Sequence, residues 1–497
     1  MRKSFMNTLI FSTLLFSVTS LIAQNAGPIK MEAWITNPDR SALFEKQSEP
    51  VTFGTNGNQR GTTIVIDDSQ ELQSIDGFGF AVTGGSAELM MKMTPAARTK
   101  LIHELFATDE RNIGVSYIRL SIGASDLNSF VFSYDDLPDG ETDLPLAKFN
   151  LSQDYKDVIP VMKEILAVNP DIKIMASPWS APTWMKTNNN IRGGSLKPEY
   201  YSVYAQYFVK YIKAMKKEGI NLDAVTVQNE PLNSNNTPSM PMLPNEQKDF
   251  IKNHLGAAFQ AAGIKAKIIL FDHNLDRIDY PLTTLQDPEA AKFVDGSGFH
   301  NYGGDLSAMT TMHLIRPDKN LYFTEQMIIE APGKQTIDIA SPVKRLIIGA
   351  TRNWSKNVIL WNLAADSLND PHTNNGGCPM CQGAVTLGGD KVSRNLAYYT
   401  VAHASKFVRP GSVRIASTNT GDKTVAVTDD EERTGSIRVT TIENSAVLPN
   451  VAFKTPEGKI VLIVVNDTYS INSQRIQFKG QFATLRLNPG AVGTYIW

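Results

Sequence analysis

Two glutamates stand where short apolar runs break off. In "VTVQNEPLNS" the β-branched residues Val225, Thr226 and Val227 lead into Gln228, Asn229 and Glu230 and are cut by Pro231. Proline cannot continue a strand from its interior, so Glu230 is expected at the strand's last position. In "NLYFTEQ" a second run carries Glu325 at its end. Two carboxyl groups held across a glycosidic bond can cleave it: one, protonated, gives its proton to the leaving oxygen, and the other, ionised, attacks or activates water. A lone strand-end glutamate is ordinarily a solvated charge, so the weight falls on its company. Asp126, Trp179, Trp184, His300, Tyr302, Trp361 and Asn362 each end or follow a similar run, and Asn229 precedes Glu230 directly. Aromatic rings stack on the C–H faces of sugars, and Asn, Asp and His bind hydroxyls, so the mixture predicts a carbohydrate site that needs neither cofactor nor metal.

Those runs imply the elements that must position them. From about residue 73 to 365 short apolar stretches alternate with amphipathic ones: "SIDGFGFAVTG", "VSYIRLSIG", "IKIMASPW", "LDAVTVQNE", "AKIILFDHN", "VDGSGFHNY", "NLYFTEQ" and "NVILWNLA". Eight such units predict an α/β fold, a closed (β/α)₈ TIM barrel over 73–408. Working residues of such a barrel gather at the C-terminal ends of its strands. Between the runs, "PEYYSVYAQYFVKYIKAMKKEG" places Tyr204, Phe208, Tyr211, Ile212 and Met215 on one helical face, with Gly219 as a stop. Beyond about 409 the texture changes to short alternating runs, which read as an antiparallel β-sandwich over 409–497. Strand-like segments within 24–72 are expected to contribute to it.

Residues 1–23, with Arg2 and Lys3 before an apolar core and Ala23 before Gln24, read as a secretory signal peptide. No cysteine lies near Ala23, so a lipoprotein anchor is not expected, and the location inferred is secreted or periplasmic. A net charge of -2 points away from nucleic acid, and no later segment is apolar enough to insert in a membrane. A monomer is expected. The two cysteines, Cys378 and Cys381 in "GGCPMCQG", are too few for a closed zinc site; a local disulfide and two free thiols both stay open.

"QNEP" closing a fourth strand and "YFTEQ" closing a seventh resemble the acid/base and nucleophile motifs of glycoside hydrolase family 30, in clan A of the glycosidases. "DGFGFAVTGGSAELM", "YIRLSIGASDLN", "IMASPWSAPTWMKTN", "VDGSGFHNYGG", "WNLAADSLNDPH" and the closing "GAVGTYIW" extend the resemblance from about residue 30 to the end. It implies a retaining mechanism with Glu230 as acid/base, its pKa raised, and Glu325 as nucleophile, kept charged. It further implies that Asn229 binds the 2-hydroxyl, that Arg119 of "YIRL" holds the nucleophile ionised, and that Asp126, Trp179, His300, Tyr302 and Trp361 line the sugar pocket. Two of these have plainer readings: Arg119 can serve folding by neutralising carboxylates, and His300 can orient Glu325 or Tyr302 without touching substrate.

Glucosylceramidases carry an acidic residue after the Gly-Phe-Gly run, where this chain has Thr83, Gly84 and Gly85. With "SIGASDLNSF", this is more similar to the branch acting on β-1,6-linked glucan, so the expected partner is a β-glucan polysaccharide or oligosaccharide. The alternatives are a glucosylceramidase or β-glucosidase, a xylan-active enzyme of the same family and, in another class, a non-catalytic carbohydrate-binding protein.

Overall fold

The computed structural model describes residues 28–55, 63–331, 333–418, 423–429, 437–443 and 447–497, the segments 423–429 and 437–443 as backbone only. The expected signal peptide lies outside them.

Eight parallel strands close into a barrel in chain order: Gly77–Ala81, Tyr117–Ile122, Lys173–Pro178, Ala224–Thr226, Lys267–Asn274, Val294–His300, Asn320–Glu325 and Ser355–Leu360. Their alternation fills two compartments. Tyr117, Met175, Ala224, Ile269, Tyr322 and Ile359 meet in a fully buried cluster of their own, a layer of side chains filling the interior. Ile118, Ile174, Val225, Ile268, Phe323 and Val358 join the large core shared with the helices. One of those helices is Tyr201–Lys217, where the five predicted face residues are all buried and Gly219 follows at φ +86°.

Strand four departs from expectation. Its ladder stops at Thr226, four residues before Glu230. The cause lies next door, where Phe271 and Asp272 of strand five both have positive φ (72° and 71°) and break the regular register. The chain then bonds its neighbours irregularly: the Asn229 N–H donates to the Pro178 carbonyl at 2.8 Å and the Glu230 N–H to the Asp272 carbonyl at 3.0 Å. Glu230 itself sits at φ +43°, a left-handed conformation that costs a long side chain roughly 1–3 kcal/mol and is sustained only by surrounding structure.

The second module is one sheet built from both ends of the chain. Its order is Glu45–Lys46, Lys30–Thr36, Val492–Ile496, Ile460–Val465, Asn450–Lys454, Val413–Ser417, Thr63–Ser74, Asn472–Phe478 and Gln481–Leu487. Val51–Thr52 pairs with Lys30–Thr36, and a bridge from Gly54 to Phe482 brings the far edge round, so the sheet folds over its own core of Met31, Phe53, Ile64, Leu462, Ile476, Leu485 and Tyr495. One neighbouring pair, Thr63–Ser74 beside Asn472–Phe478, is parallel; these strands come from opposite ends of the chain, so no hairpin turn dictates their direction. Segments Lys423–Asp429 and Ile437–Glu443 form a separate two-stranded ladder.

The modules are tied by buried polar contacts. His403, on the helix Leu396–Ser405, is wholly enclosed and reaches Thr36 Oγ1 at 2.8 Å and Thr494 Oγ1 at 2.9 Å. Arg352 donates to the carbonyls of Asn450 and Ser417. Among the described residues no helix is long and apolar enough to cross a membrane.

Candidate active site

Arg119, on strand two and 1% exposed, organises the barrel mouth. Its guanidinium donates to Glu325 Oε2 at 2.5 Å, to Asn229 Oδ1 at 2.7 Å, to Asp272 Oδ2 at 2.8 Å and to Ser177 Oγ at 3.0 Å. A planar fork can serve that many acceptors at once; an ammonium cannot. Charge balance therefore accompanies positioning: the end of strand seven, the loop after strand four and the bulge of strand five all converge on one cation.

Glu230 and Glu325 lie close together at the mouth, Glu325 on Arg119 and Glu230 on His300. A carboxylate oxygen of each lies within 4.8 Å of the other and of a His300 ring nitrogen. His300 Nδ1 donates to Glu230 Oε1 at 3.1 Å and Nε2 to Asp272 Oδ1 at 3.0 Å. Asn233 and Asn236, from the loop after Glu230, donate to its other oxygen, Oε2, at 2.7 and 3.1 Å. The Tyr302 hydroxyl donates to Glu325 Oε1 at 3.1 Å and accepts the Met327 N–H at 3.0 Å. These groups border a cavity of about 430 Å³, whose walls include Asp126, Glu230, Asn233, Asn236, His273, Tyr302, Glu325, Trp361, Cys378 and Cys381. Among the described residues, Glu230, His300 and Glu325 are the one trio close enough to share a metal ion, but both His300 nitrogens already face carboxylates.

The electrostatics of the site reverse what the sequence led us to expect of the two glutamates. Burial pushes the Glu230 carboxyl up, but the His300 hydrogen bond and charge, the His273 charge and the Asn233 amide outweigh it and bring it down to about 2. Glu325 is raised: burial exceeds the combined pull of His300 and Arg119, and Glu230 and Asp272 add like-charge repulsion. His300 is lifted to about 10, since the Glu325 charge and the hydrogen bonds to Asp272 and Glu230 overcome its burial. Asp126, buried and repelled by Glu325 and Glu230, rises to about 8 and so carries a proton at neutral pH. At rest the pocket thus holds an ionised Glu230, a protonated His300 and a protonated Asp126.

Each sequence candidate has a definite place. Asp126, Glu230, Tyr302, Glu325 and Trp361 line the cavity. Asn229 lies behind it, its Oδ1 taken by Arg119. Trp179 was expected to offer a sugar platform, but it is 1% exposed, stacked on Trp361 at 5.4 Å with the Arg119 guanidinium 4.9 Å over its ring. Little of the ring is left for a sugar to stack on, and its indole N–H has no protein acceptor. His300 was expected on the pocket wall; its ring is fully enclosed with both nitrogens engaged by carboxylates, which leaves none for a hydroxyl. Trp184 and Lys186 brace loops: the indole N–H donates to the Asp135 carbonyl and the buried ammonium to the Ser239 carbonyl.

Asp272, His273, Asn233 and Asn236 escaped sequence reasoning. "FDHN" at the end of strand five and "NSNN" after "QNEPL" were signals available in the sequence. The cysteines are bonded, Cys378 to Cys381, with a Cα separation of 5.4 Å. Their loop is laced to the site by the Thr373 N–H on the Asp126 carbonyl and the Thr237 N–H on the Gly376 carbonyl.

Comparison with known proteins extends this picture. Residues 75–408 match the glycosyl hydrolase family 30 TIM-barrel domain and residues 435–495 its beta sandwich domain. An endo-1,6-beta-D-glucanase of Neurospora crassa is 35% identical over 455 residues, covering 87% of this chain and 92% of that protein. The lysosomal acid glucosylceramidase of Mus musculus is 27% identical over 470 residues, covering 88% and 84%. Among solved structures, the endo-beta1,6-glucanase BT3312 superposes with a TM-score of 0.81 at 32% identity, covering 94% of this chain and 99% of that one.

Proposed function

This chain belongs to glycosyl hydrolase family 30 and is a glycoside hydrolase, and from that premise we propose that it is an exported, retaining endo-β-1,6-glucanase with Glu230 as proton donor and Glu325 as nucleophile. The observation that carries the mechanism is the closeness of the two carboxylates, an oxygen of each within 4.8 Å. Retaining enzymes hold their carboxyl groups about 5–5.5 Å apart, inverting ones about 6.5–9.5 Å apart to admit a water. The linkage rests on the greater identity to proteins named for 1,6-glucan, 35% and 32%, than to a glucosylceramidase, 27%. Export rests on the pattern of residues 1–23.

In the first step Glu325 attacks the anomeric carbon, the carbon–oxygen bond to the leaving sugar breaks, and Glu230 gives that oxygen its proton. In the second, Glu230 takes a proton from water, whose oxygen displaces Glu325. Asn229, with its Oδ1 held by Arg119, has its amide hydrogens for the 2-hydroxyl. Protonated Asp126 offers a further donor to the sugar, and the exposed Tyr302 ring, 39% accessible, and Trp361 offer apolar surface. The positive charge that develops at the anomeric carbon favours an ionised Glu325, which opposes the upward push of burial on its carboxyl.

Release of reducing ends from β-1,6-glucan, set against β-1,3-glucan, glucuronoxylan and a glucosylceramide analogue, tests the substrate; turnover of another member with none of the first would overturn it. Glu325→Gln is expected to abolish hydrolysis. Glu230→Ala with azide is expected to yield a β-glycosyl azide from an aryl glucoside, and an α product or no rescue would reverse the assignment.

A further inference from the structure

The loop that follows Glu230 places two amides on one oxygen of its carboxylate. Asn233 and Asn236, both partly exposed, donate to Glu230 Oε2 at 2.7 and 3.1 Å and line the cavity themselves. The Asn233 amide presents its NH₂ rather than its oxygen to the cavity side, because its Oδ1 accepts the Asn235 N–H at 2.9 Å while its own backbone N–H donates to the Glu230 carbonyl at 2.8 Å. The other carboxylate oxygen, Oε1, is committed to His300, which is itself fixed between Glu230 and Asp272. The proton bound for the leaving oxygen must therefore sit on Oε2. An oxygen that carries a proton is a poor acceptor for two further N–H donors, so the amides that solvate Oε2 oppose its protonation.

We propose that Asn233 and Asn236 form the binding site for the sugar on the leaving side, and that moving their N–H donors from Glu230 to that sugar's hydroxyls is what allows Glu230 to take up its proton. The inference rests on the retaining-glycosidase reading above. Sugar hydroxyl oxygens accept the same N–H donors, so each amide keeps a partner in both states and the exchange costs little. When the glycosidic bond breaks, the Oε2–H bond breaks with it, the proton goes to the leaving oxygen, and the regenerated carboxylate takes back the amides as the product departs. A substrate without a leaving-side sugar cannot make the exchange. The acid is thus loaded in proportion to how well the leaving side is filled, which favours internal bonds of a chain over small glucosides.

Two measurements on the full chain test this. Carboxyl ¹³C NMR of glutamate-labelled protein, with Glu230 assigned through Glu230→Gln, reads the titration of Glu230 in the wild type and in Asn233→Ala/Asn236→Ala without any substrate. Loss of two donors is expected to raise it by about one pH unit or more; an unmoved titration overturns the proposal whatever the enzyme cleaves. Kinetics then compare a β-1,6-linked gluco-oligosaccharide with an aryl β-glucoside whose acidic phenol needs no proton. The single variants are expected to raise KM for the oligosaccharide about tenfold, the worth of a hydrogen bond, and to leave KM for the aryl glucoside within about twofold. Equal losses on both substrates would reduce the asparagines to supports of the loop and overturn the proposal. A wild type that cleaves the aryl glucoside but not the β-1,6 oligosaccharide would instead refute the linkage assigned above, and the titration would still judge the asparagines.

Discussion

Arg119 bears more of the site than any other single side chain, touching Glu325, Asp272 and Asn229 at once. Arg119→Met would leave two buried carboxylates without their cation, a loss of about 3–5 kcal/mol, read by chemical denaturation. Arg119→Lys restores a charge but not the fork, so stability should recover in part while kcat on an aryl glucoside stays at least about a hundredfold down. Recovery of both together would mean that charge alone matters. The motifs placed the two glutamates, Asp126, Asn229 and Tyr302 at or just beyond strand ends, where the structure has them, whereas Arg119 lies inside strand two and was marked only by its charge in an apolar run. Asp272 was not legible for a physical reason: two successive residues at positive φ turn its side chain into the mouth out of the alternating order that sequence reading relies on. The orientation of His300 was hidden for the same reason, since its partner Asp272 was.

At the scale of elements, the eight strands could be read from their apolar runs, but where strand four stops could not, because its ladder depends on the bulge in its neighbour. The "TGG" after strand one also gains a physical meaning. Thr83 caps the helix Gly84–Met91 by accepting the Ser86 N–H, and a Cβ at Gly84 would lie 1.9 Å from Asn128 Nδ2. Asn128 in turn accepts the Ser125 N–H at 2.9 Å, next to Asp126. Gly84→Ala should therefore displace the Asp126 loop, costing about 1–3 kcal/mol through overpacking and raising KM severalfold; an unchanged KM with lowered stability would separate the helix from the pocket. The disulfide sits in the loop that bonds the Asp126 carbonyl through the Thr373 N–H. It closes so short a loop that Cys378→Ala/Cys381→Ala should cost only about 2 kcal/mol, yet KM should rise because both sulfurs border the cavity.

Over the whole molecule the tie between modules sets a pH limit of its own. Burial alone lowers His403 to about 3 from a usual 6.5, so the folded state excludes a proton that the unfolded chain binds. Its contribution is present in full above about pH 6.5 and is lost as pH falls toward 3, by as much as about 5 kcal/mol in the limit. His403→Gln, which keeps hydrogen-bonding groups near Thr36 and Thr494, should lower the Tm at pH 7 but flatten its decline between pH 6.5 and 4; parallel curves for the two proteins would exclude this source of acid sensitivity. The composition shift near residue 409 marked the second module, whereas the pairing across its sheet was beyond sequence alone, since nothing local says which distant strand will lie alongside. That pairing sets Glu32 beside Ile496. A ribosome releases the first of these hundreds of residues before the second, so the barrel can assemble on the emerging chain while Lys30–Thr36 waits with an unpaired edge. Closure of this slow, long-range contact thus follows synthesis of the whole barrel, and a holdase that shields a bare strand edge would raise yield more than one that helps the barrel.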